Sequence, residues 1–281
     1  MVVMVHSSYY RRPSFGKKGN NPSTLTYHKS KGWANQDTVL ATIKTVLSHE
    51  FIDCGYRLMN SYLQKDGYLI NHKKLYRIMS EQSLLKLKNR IKRSGSGRKF
   101  VKFRKVNTAK PFECFEMDIK MVWIPSVGKN AYLLSIIDVH TGRILKDYFS
   151  FSIKQDKVIT FLSDLFLALQ YPENVFIRSD NGSQFIANSV REYLGLIGVQ
   201  QEFTHVATPE ENAHIEAYHG ILKKEVFQRV DYRTFGEIEQ ILKRYVIFCN
   251  NTRLNRLLGR ITPTQKWKQD KHLILMNKLT A

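Results

Sequence analysis

The chain has 281 residues, 43% of them hydrophobic, and sets 44 Lys and Arg against 24 Asp and Glu for a net charge of +20. That apolar share suffices for a packed core in one large domain or two modest ones, and the cationic excess attracts polyanions, nucleic acid foremost. Cys54, Cys114 and Cys249 are too scattered for a disulfide framework or a CxxC metal knuckle, Met1–Val5 is too short for a signal peptide, and runs such as 131–139 cannot span a membrane; the expectation is a reducing cytosol and no membrane.

Residues 1–30, rich in Ser, Asn, Gly and Lys without periodicity, read as a flexible basic arm. Residues 31–83 predict three short helices. Val39, Leu40, Ile43, Val46 and Leu47 fall at helical spacing; a second helix covers Tyr56–Leu63 and stops near Gly67; a third follows the N-cap candidate Asn71, with Leu75, Ile78 and Met79 on its apolar side. A small all-α, helix-turn-helix-like domain is the expected result, and Lys73, Lys74 and Arg77 on the third helix are its candidate DNA contacts. An ordinary solvated lysine face explains one such helix equally well. Residues 84–110 hold eleven Lys or Arg and no acid, interrupted by Ser94-Gly95-Ser96-Gly97. This reads as a basic linker whose Lys99, Lys102, Arg104 and Lys105 can neutralise phosphates without reading sequence.

From residue 111 the pattern alternates. Phe112–Trp123, Ala131–Val139 and Arg143–Phe151 predict consecutive strands, followed by an amphipathic helix over Asp156–Leu169, a short buried strand Asn174–Arg178, a helix Ser183–Leu196, a strand Gln200–Thr204, and helices Glu210–Phe227 and Phe235–Asn250. The order βββαβαβαα predicts an α/β domain over 111–255, a mixed five-stranded sheet with helices on both faces. Residues 256–281 read as a basic tail, partly helical.

Three acids stand out in this frame. Asp118 sits within a strand, Asp180 just past the end of the fourth strand before Asn181-Gly182, and Glu216 on a helix, with thirty-five residues between it and Asp180. Loops at the carboxyl ends of α/β strands gather ligands, and carboxylates from a strand, a strand end and a helix can converge. Mg²⁺ takes hard oxygen ligands, and a pair of such ions can assist both oxygens of a phosphodiester displacement without any His or Cys. Lys223, two helical turns after Glu216, shares its face and can reach a phosphate. Singly, Asp118 could be a solvated strand residue, Asp180 a plain turn former and Glu216 an exposed helix acid; Glu210 or Glu211 could replace Glu216, and Asp138 is a stand-in.

Asp118, Ser179-Asp180-Asn181-Gly182-Ser183-Gln184-Phe185, Glu211-Asn212-Ala213-His214-Ile215-Glu216 and Lys223-Lys224-Glu225 together resemble the DDE transposase and retroviral-integrase core, in particular the second-frame protein of IS3-family bacterial insertion sequences. Cys54-Gly55-Tyr56-Arg57 with Lys73–Met79 is similar to that family's helix-turn-helix segment, and Asn250-Asn251-Thr252-Arg253 through Thr262-Pro263 to its C-terminal signature. Glu211 and Asn255 depart from the family's usual Asp and His. The resemblance implies a ribonuclease-H-like core and two Mg²⁺ (or Mn²⁺) ions on Asp118, Asp180 and Glu216. It also implies cleavage of DNA at element ends and 3′-OH strand transfer into target DNA. A homo-oligomer on DNA, a companion upstream-frame protein and a bacterial, nucleoid-associated location complete that picture. A non-catalytic DNA-binding protein and a ribonuclease-H-type nuclease are the alternatives.

Overall fold

The computed structural model describes residues 23–86, 106–205 and 209–276. They fall into a smaller unit, 23–49 with 54–86, and a larger one, 50–53 with 106–276.

The smaller unit holds the three expected helices. α1 (Gln36–Leu47) starts at Asn35, whose side chain accepts from the Thr38 N–H at 2.8 Å. α2 (Tyr56–Asp66) stops at Gly67, which has φ +125° and sits against the His28 ring, where a Cβ would come within 3.0 Å of Cε1. α3 (His72–Glu81) starts at Asn71 as expected, its side chain accepting from the Lys73 N–H at 2.8 Å. Val39, Ile43, Met59, Leu63, Leu75, Ile78 and Met79 form the buried faces.

Three short antiparallel strands join these helices: β1 (Thr26–His28), β2 (Gly32–Ala34) and β3 (Tyr68–Leu69), in the order β2-β1-β3. The unit is therefore not all-α, and the arm boundary at residue 30 falls too late, because Thr26 and His28 point inward and are buried. Strands of two or three residues are too short to carry a period-2 signal.

In the larger unit the sheet order is β6-β5-β4-β7-β8. β4 (Cys114–Ile124), β5 (Lys129–Asp138) and β6 (Arg143–Ser150) form an antiparallel meander; β7 (Phe176–Ser179) and β8 (Gln200–Phe203) run parallel to β4. This is the expected mixed five-stranded sheet, in the expected order of elements. α4 (Gln155–Ala168) lays Val158, Phe161, Leu162, Leu165 and Phe166 over Phe115, Met117, Leu134 and Ile136. Because side chains alternate along a strand, Glu116 and Asp118 point away from that core to the opposite face. There α7 (Ala213–Leu222) lies along β4 and β5, and α8 (Phe235–Asn251) along β6.

The helix expected over 183–196 is two helices, α5 (Ser183–Ile186) and α6 (Asn188–Leu196), divided at Ala187, whose ψ of 134° is extended. Residues 256–276 include two short helices, as a partly helical tail would. α9 (Pro263–Asp270) opens on a Thr262/Gln265 capping box and packs Trp267 against Phe112 with ring centroids 4.8 Å apart and planes tilted by 33°; α10 (His272–Met276) follows. Among the described residues, no helix is long and apolar enough to cross a membrane.

Candidate active site

Sheet register brings the first two acids together. Glu116 pairs with Arg178 across the parallel β4–β7 ladder. Two residues farther along each chain stand Asp118 and Asp180. Asp180 opens the turn beyond β7, where its Oδ1 accepts the Gly182 N–H at 3.0 Å, while Asn181 donates to the Thr204 carbonyl at 2.9 Å. Gly182 suits this turn by its lack of a side chain: a Cβ would meet Asp180 Oδ1 at 3.0 Å, Gln184 Oε1 at 3.3 Å and the Phe185 ring at 3.4 Å. The Asp180 carboxyl is held above its ordinary range first by burial and further by the negative charge of Asp118, against the opposing Gly182 hydrogen bond. Two like charges thus share one corner of the sheet.

Asp118 is 23% exposed at its side chain. Its Oδ1 accepts from the Ile119 N–H at 2.7 Å and its Oδ2 from His219 Nδ1 at 3.1 Å. Each oxygen keeps a lone pair. Oxygen-only, mutually repelling carboxylates suit a hard divalent cation, which would relieve the repulsion that raises Asp180.

Glu216 stands in the first turn of α7. The start of α7 is fastened to the strand by Glu116, a fully buried carboxylate that accepts the His214 N–H at 2.8 Å, the Ile215 N–H at 2.8 Å and His214 Nδ1 at 2.7 Å. A negative group on the first free N–H donors of a helix is favourable both as a cap and against the macrodipole. Further along, His219 meets Asp118, and Glu216 precedes His219 by one turn on an exposed flank of the helix. Among the described residues, however, no three acidic, His or Cys side chains already stand together as a metal-holding group, so Glu216 does not close with Asp118 and Asp180 into a preformed cluster.

The stand-ins have other roles. Asp138 is buried and accepts from the Phe112 N–H, the Thr141 N–H and the Thr141 hydroxyl, fixing the turn after β5. Glu211 is buried against His205, taking its N–H and ring Nδ1, both at 2.9 Å. Lys223 is exposed and begins a π-helical turn (Lys223–Phe227) that prolongs α7. Within that turn Glu225 is held by Arg253 through contacts of 3.0–3.2 Å and by the Tyr245 hydroxyl at 2.9 Å.

Two regions of this chain match family models described as integrase core domain, residues 108–209 and 197–263. The chain carries an integrase core domain. The first match contains Asp118 and Asp180, the second Glu216 and Lys223. Curated relatives come from bacterial insertion sequences. The InsK protein of element IS150 from Escherichia coli (strain K12) is 26% identical, covering 87% of this chain and 89% of its own length. The transposase for element IS904 from Lactococcus lactis subsp. lactis (strain IL1403) is 24% identical, with coverage of 80% and 90%. Among solved structures, a chain of the simian T-cell lymphotropic virus intasome in complex with PP2A regulatory subunit B56 gamma overlays with TM-score 0.50 at 13% identity, covering 79% of this chain and 73% of that one. That likeness concerns the fold.

In this integrase core, reading the residues alone missed Glu116, His219 and the Glu225–Arg253 pair. Glu116 carried a signal, since it lies two residues from Asp118 on one strand and so shares its face. His219, three residues after Glu216, carried a similar one. Two cations of the smaller unit have partners within it. Lys74 Nζ donates to the Leu25 carbonyl, and Arg77 donates to the Ser23 carbonyl at 3.0 Å while lying 3.8 Å from Glu81. Both hold the chain leading into β1 rather than forming a free basic face; Lys73 stays exposed. Lys99, Lys102, Arg104 and Lys105 lie outside the described residues.

Proposed function

We propose that this chain is a DNA transposase of the DDE type, which cleaves DNA at the ends of an insertion sequence and joins the freed 3′-hydroxyl to target DNA. The observation that supports it most is the Asp118–Asp180 pair, with α7 tied to that pair by the His219–Asp118 hydrogen bond. Asp118 and Asp180 would hold divalent Mg²⁺, with Glu216 completing the ligand set once DNA and metal are in place. When bound, two such ions supply Lewis-acid assistance at the attacking and leaving oxygens of a phosphodiester. The remaining work falls to the chain itself. The rigid β4 strand fixes Asp118, the Gly182 turn aims Asp180, and Lys223 offers an exposed cation to the phosphate backbone one helical stretch beyond Glu216. Exchange of one phosphodiester for another needs no external energy source. Lys73 and the basic stretch with Lys99, Lys102, Arg104 and Lys105 are further proposed phosphate contacts. Assembly as a homo-oligomer on DNA, with a companion upstream-frame protein for end recognition, belongs to the same proposal.

The test is Mg²⁺-dependent cleavage and strand transfer with the element's own terminal sequences. Asp118→Asn, Asp180→Asn and Glu216→Gln should each lose both reactions while still binding DNA. Undiminished cleavage in all three variants refutes the reading.

A further inference from the structure

Beneath Asp118 runs a polar row that a simple carboxylate cluster does not require. Asp118 on β4 pairs with Ser135 on β5, and Ser135 with Asp147 on β6. Directly paired residues share a face, so the three side chains cross the sheet in line on the side covered by α7. Two consecutive residues of α7 close on the two ends of the row. The Tyr218 hydroxyl donates to Asp147 Oδ2 at 3.0 Å, and His219 Nδ1 meets Asp118 Oδ2 at 3.1 Å. His219 is nearly sealed, 4% exposed at its side chain, and its Nε2 is buried with no hydrogen-bond partner among the described residues. Among the described residues, the ring's one hydrogen bond is therefore the one to Asp118. An ionised carboxylate only accepts, so Nδ1 carries the proton. A buried ring on Oδ2, with the Ile119 N–H on Oδ1, leaves the Asp118 carboxylate little freedom to rotate.

Resting on the active-site reading above, we propose that His219 is a positioning residue for Asp118: its Nδ1–H, locked in place by α7 and the Ser135–Asp147–Tyr218 layer, sets the orientation in which Asp118 presents its free lone pairs to a divalent ion. The metal would not touch His219. Its influence passes through Asp118, as outer partners of metal ligands generally act, and their loss costs on the order of 10- to 100-fold in metal affinity or activity.

Two amide substitutions separate the hydrogen bond from mere packing. In His219→Asn the side-chain amide nitrogen falls close to the position of Nδ1; in His219→Gln it falls close to that of Nε2. Both keep a polar group of moderate size in the layer. The full-length protein would be titrated with Mn²⁺ by calorimetry in the absence of DNA and then assayed for single-turnover end cleavage, with melting temperature as the folding control. His219→Asn should stay within a few-fold of the parent in both, while His219→Gln should lose on the order of 10-fold or more in Mn²⁺ affinity and in cleavage rate. Equal behaviour of the two variants, whether both intact or both damaged, overturns the proposal. Asp118→Asn run alongside distinguishes the two layers of argument. Unchanged cleavage in Asp118→Asn sinks the active-site reading itself, whereas an inactive Asp118→Asn beside a fully active His219→Gln sinks only the role of His219.

Discussion

Asp147 offers a quantitative check on how the face beneath α7 is built. As a residue it is half-buried, but its Oδ1 is closed to solvent and its Oδ2 takes the Tyr218 hydroxyl. Burial pushes its carboxyl up from 3.8 to about 6, with the Ser135 and Tyr218 hydroxyls and nearby His219 pulling the other way. An acid whose pKa is raised by folding binds its proton more tightly in the native state. Its contribution to stability is complete below the unfolded pKa and is lost as pH rises through the folded one. The window is therefore about pH 4 to 6, with stability falling as pH rises. At about 1.4 kcal/mol per pKa unit, a rise from 3.8 to about 6 corresponds to a total of about 3 kcal/mol, of which about 2 kcal/mol lies between pH 4 and pH 7. Asp147→Asn has no proton to lose. Its stability relative to the parent should improve by about 2 kcal/mol between pH 4 and pH 7, whatever fixed offset the amide introduces. Urea unfolding of both proteins at several pH values, followed by circular dichroism, measures that difference. A gap that stays constant across the range refutes the claim that Asp147 is desolvated by folding.

Other consequences are equally direct. Gly182→Ala places a methyl group 3.0 Å from Asp180 Oδ1, so end cleavage should fall on the order of 10-fold or more with little change in melting temperature; an unimpaired rate shows that the turn accommodates the methyl. Arg253→Ala leaves Glu225 without its guanidinium inside the π-helical turn. Since the two side chains keep 19% and 12% exposure, the loss should be about 2–3 kcal/mol, somewhat under that of a fully sealed pair; chemical denaturation reads it, and a loss under about 0.5 kcal/mol marks the pair as unimportant. Asp118→Asn removes the like charge beside Asp180, whose carboxyl should titrate at lower pH in the metal-free variant than in the metal-free parent. Carbon-detected NMR of the Asp180 carboxyl tests this, and an unchanged midpoint shows that the two groups do not feel each other.

Much of the larger unit was legible because its elements are long and periodic. α4 announces itself through Val158, Phe161, Leu162 and Leu165, and β5 through an apolar run over 131–137 broken by Ser135 alone; once their order is read, few sheets are open to them. Of the three acids picked out in the sequence, parallel register beside Glu116 and Arg178 sets Asp118 near Asp180, while Glu216 stays outside any preformed cluster among the described residues. What escaped depends on distances that spacing does not encode. β1, β2 and β3 are held by backbone pairing and by inward Thr26, His28 and Tyr68, with too few residues for a pattern. The break at Ala187 is a backbone choice between two helix-compatible stretches. The packing of Trp267 in the basic, partly helical tail was not legible because its partner, Phe112, lies far back in the chain. Lys74 and Arg77 looked like free cations because the carbonyls they hold belong to a segment with no sequence signature.

Glu116 has a genetic corollary. It grips two backbone N–H groups and a ring nitrogen at the threshold of α7, yet its own carboxylate is wholly enclosed and cannot meet a nucleic acid. For the transposase proposed above, a screen for lost transposition should therefore return four indispensable acids: the three proposed metal ligands Asp118, Asp180 and Glu216, and Glu116, which only moors the helix carrying the third. Amide exchange would tell them apart: substitution of Glu116 should quicken it at His214 and Ile215, and substitution of Glu216 should leave it untouched.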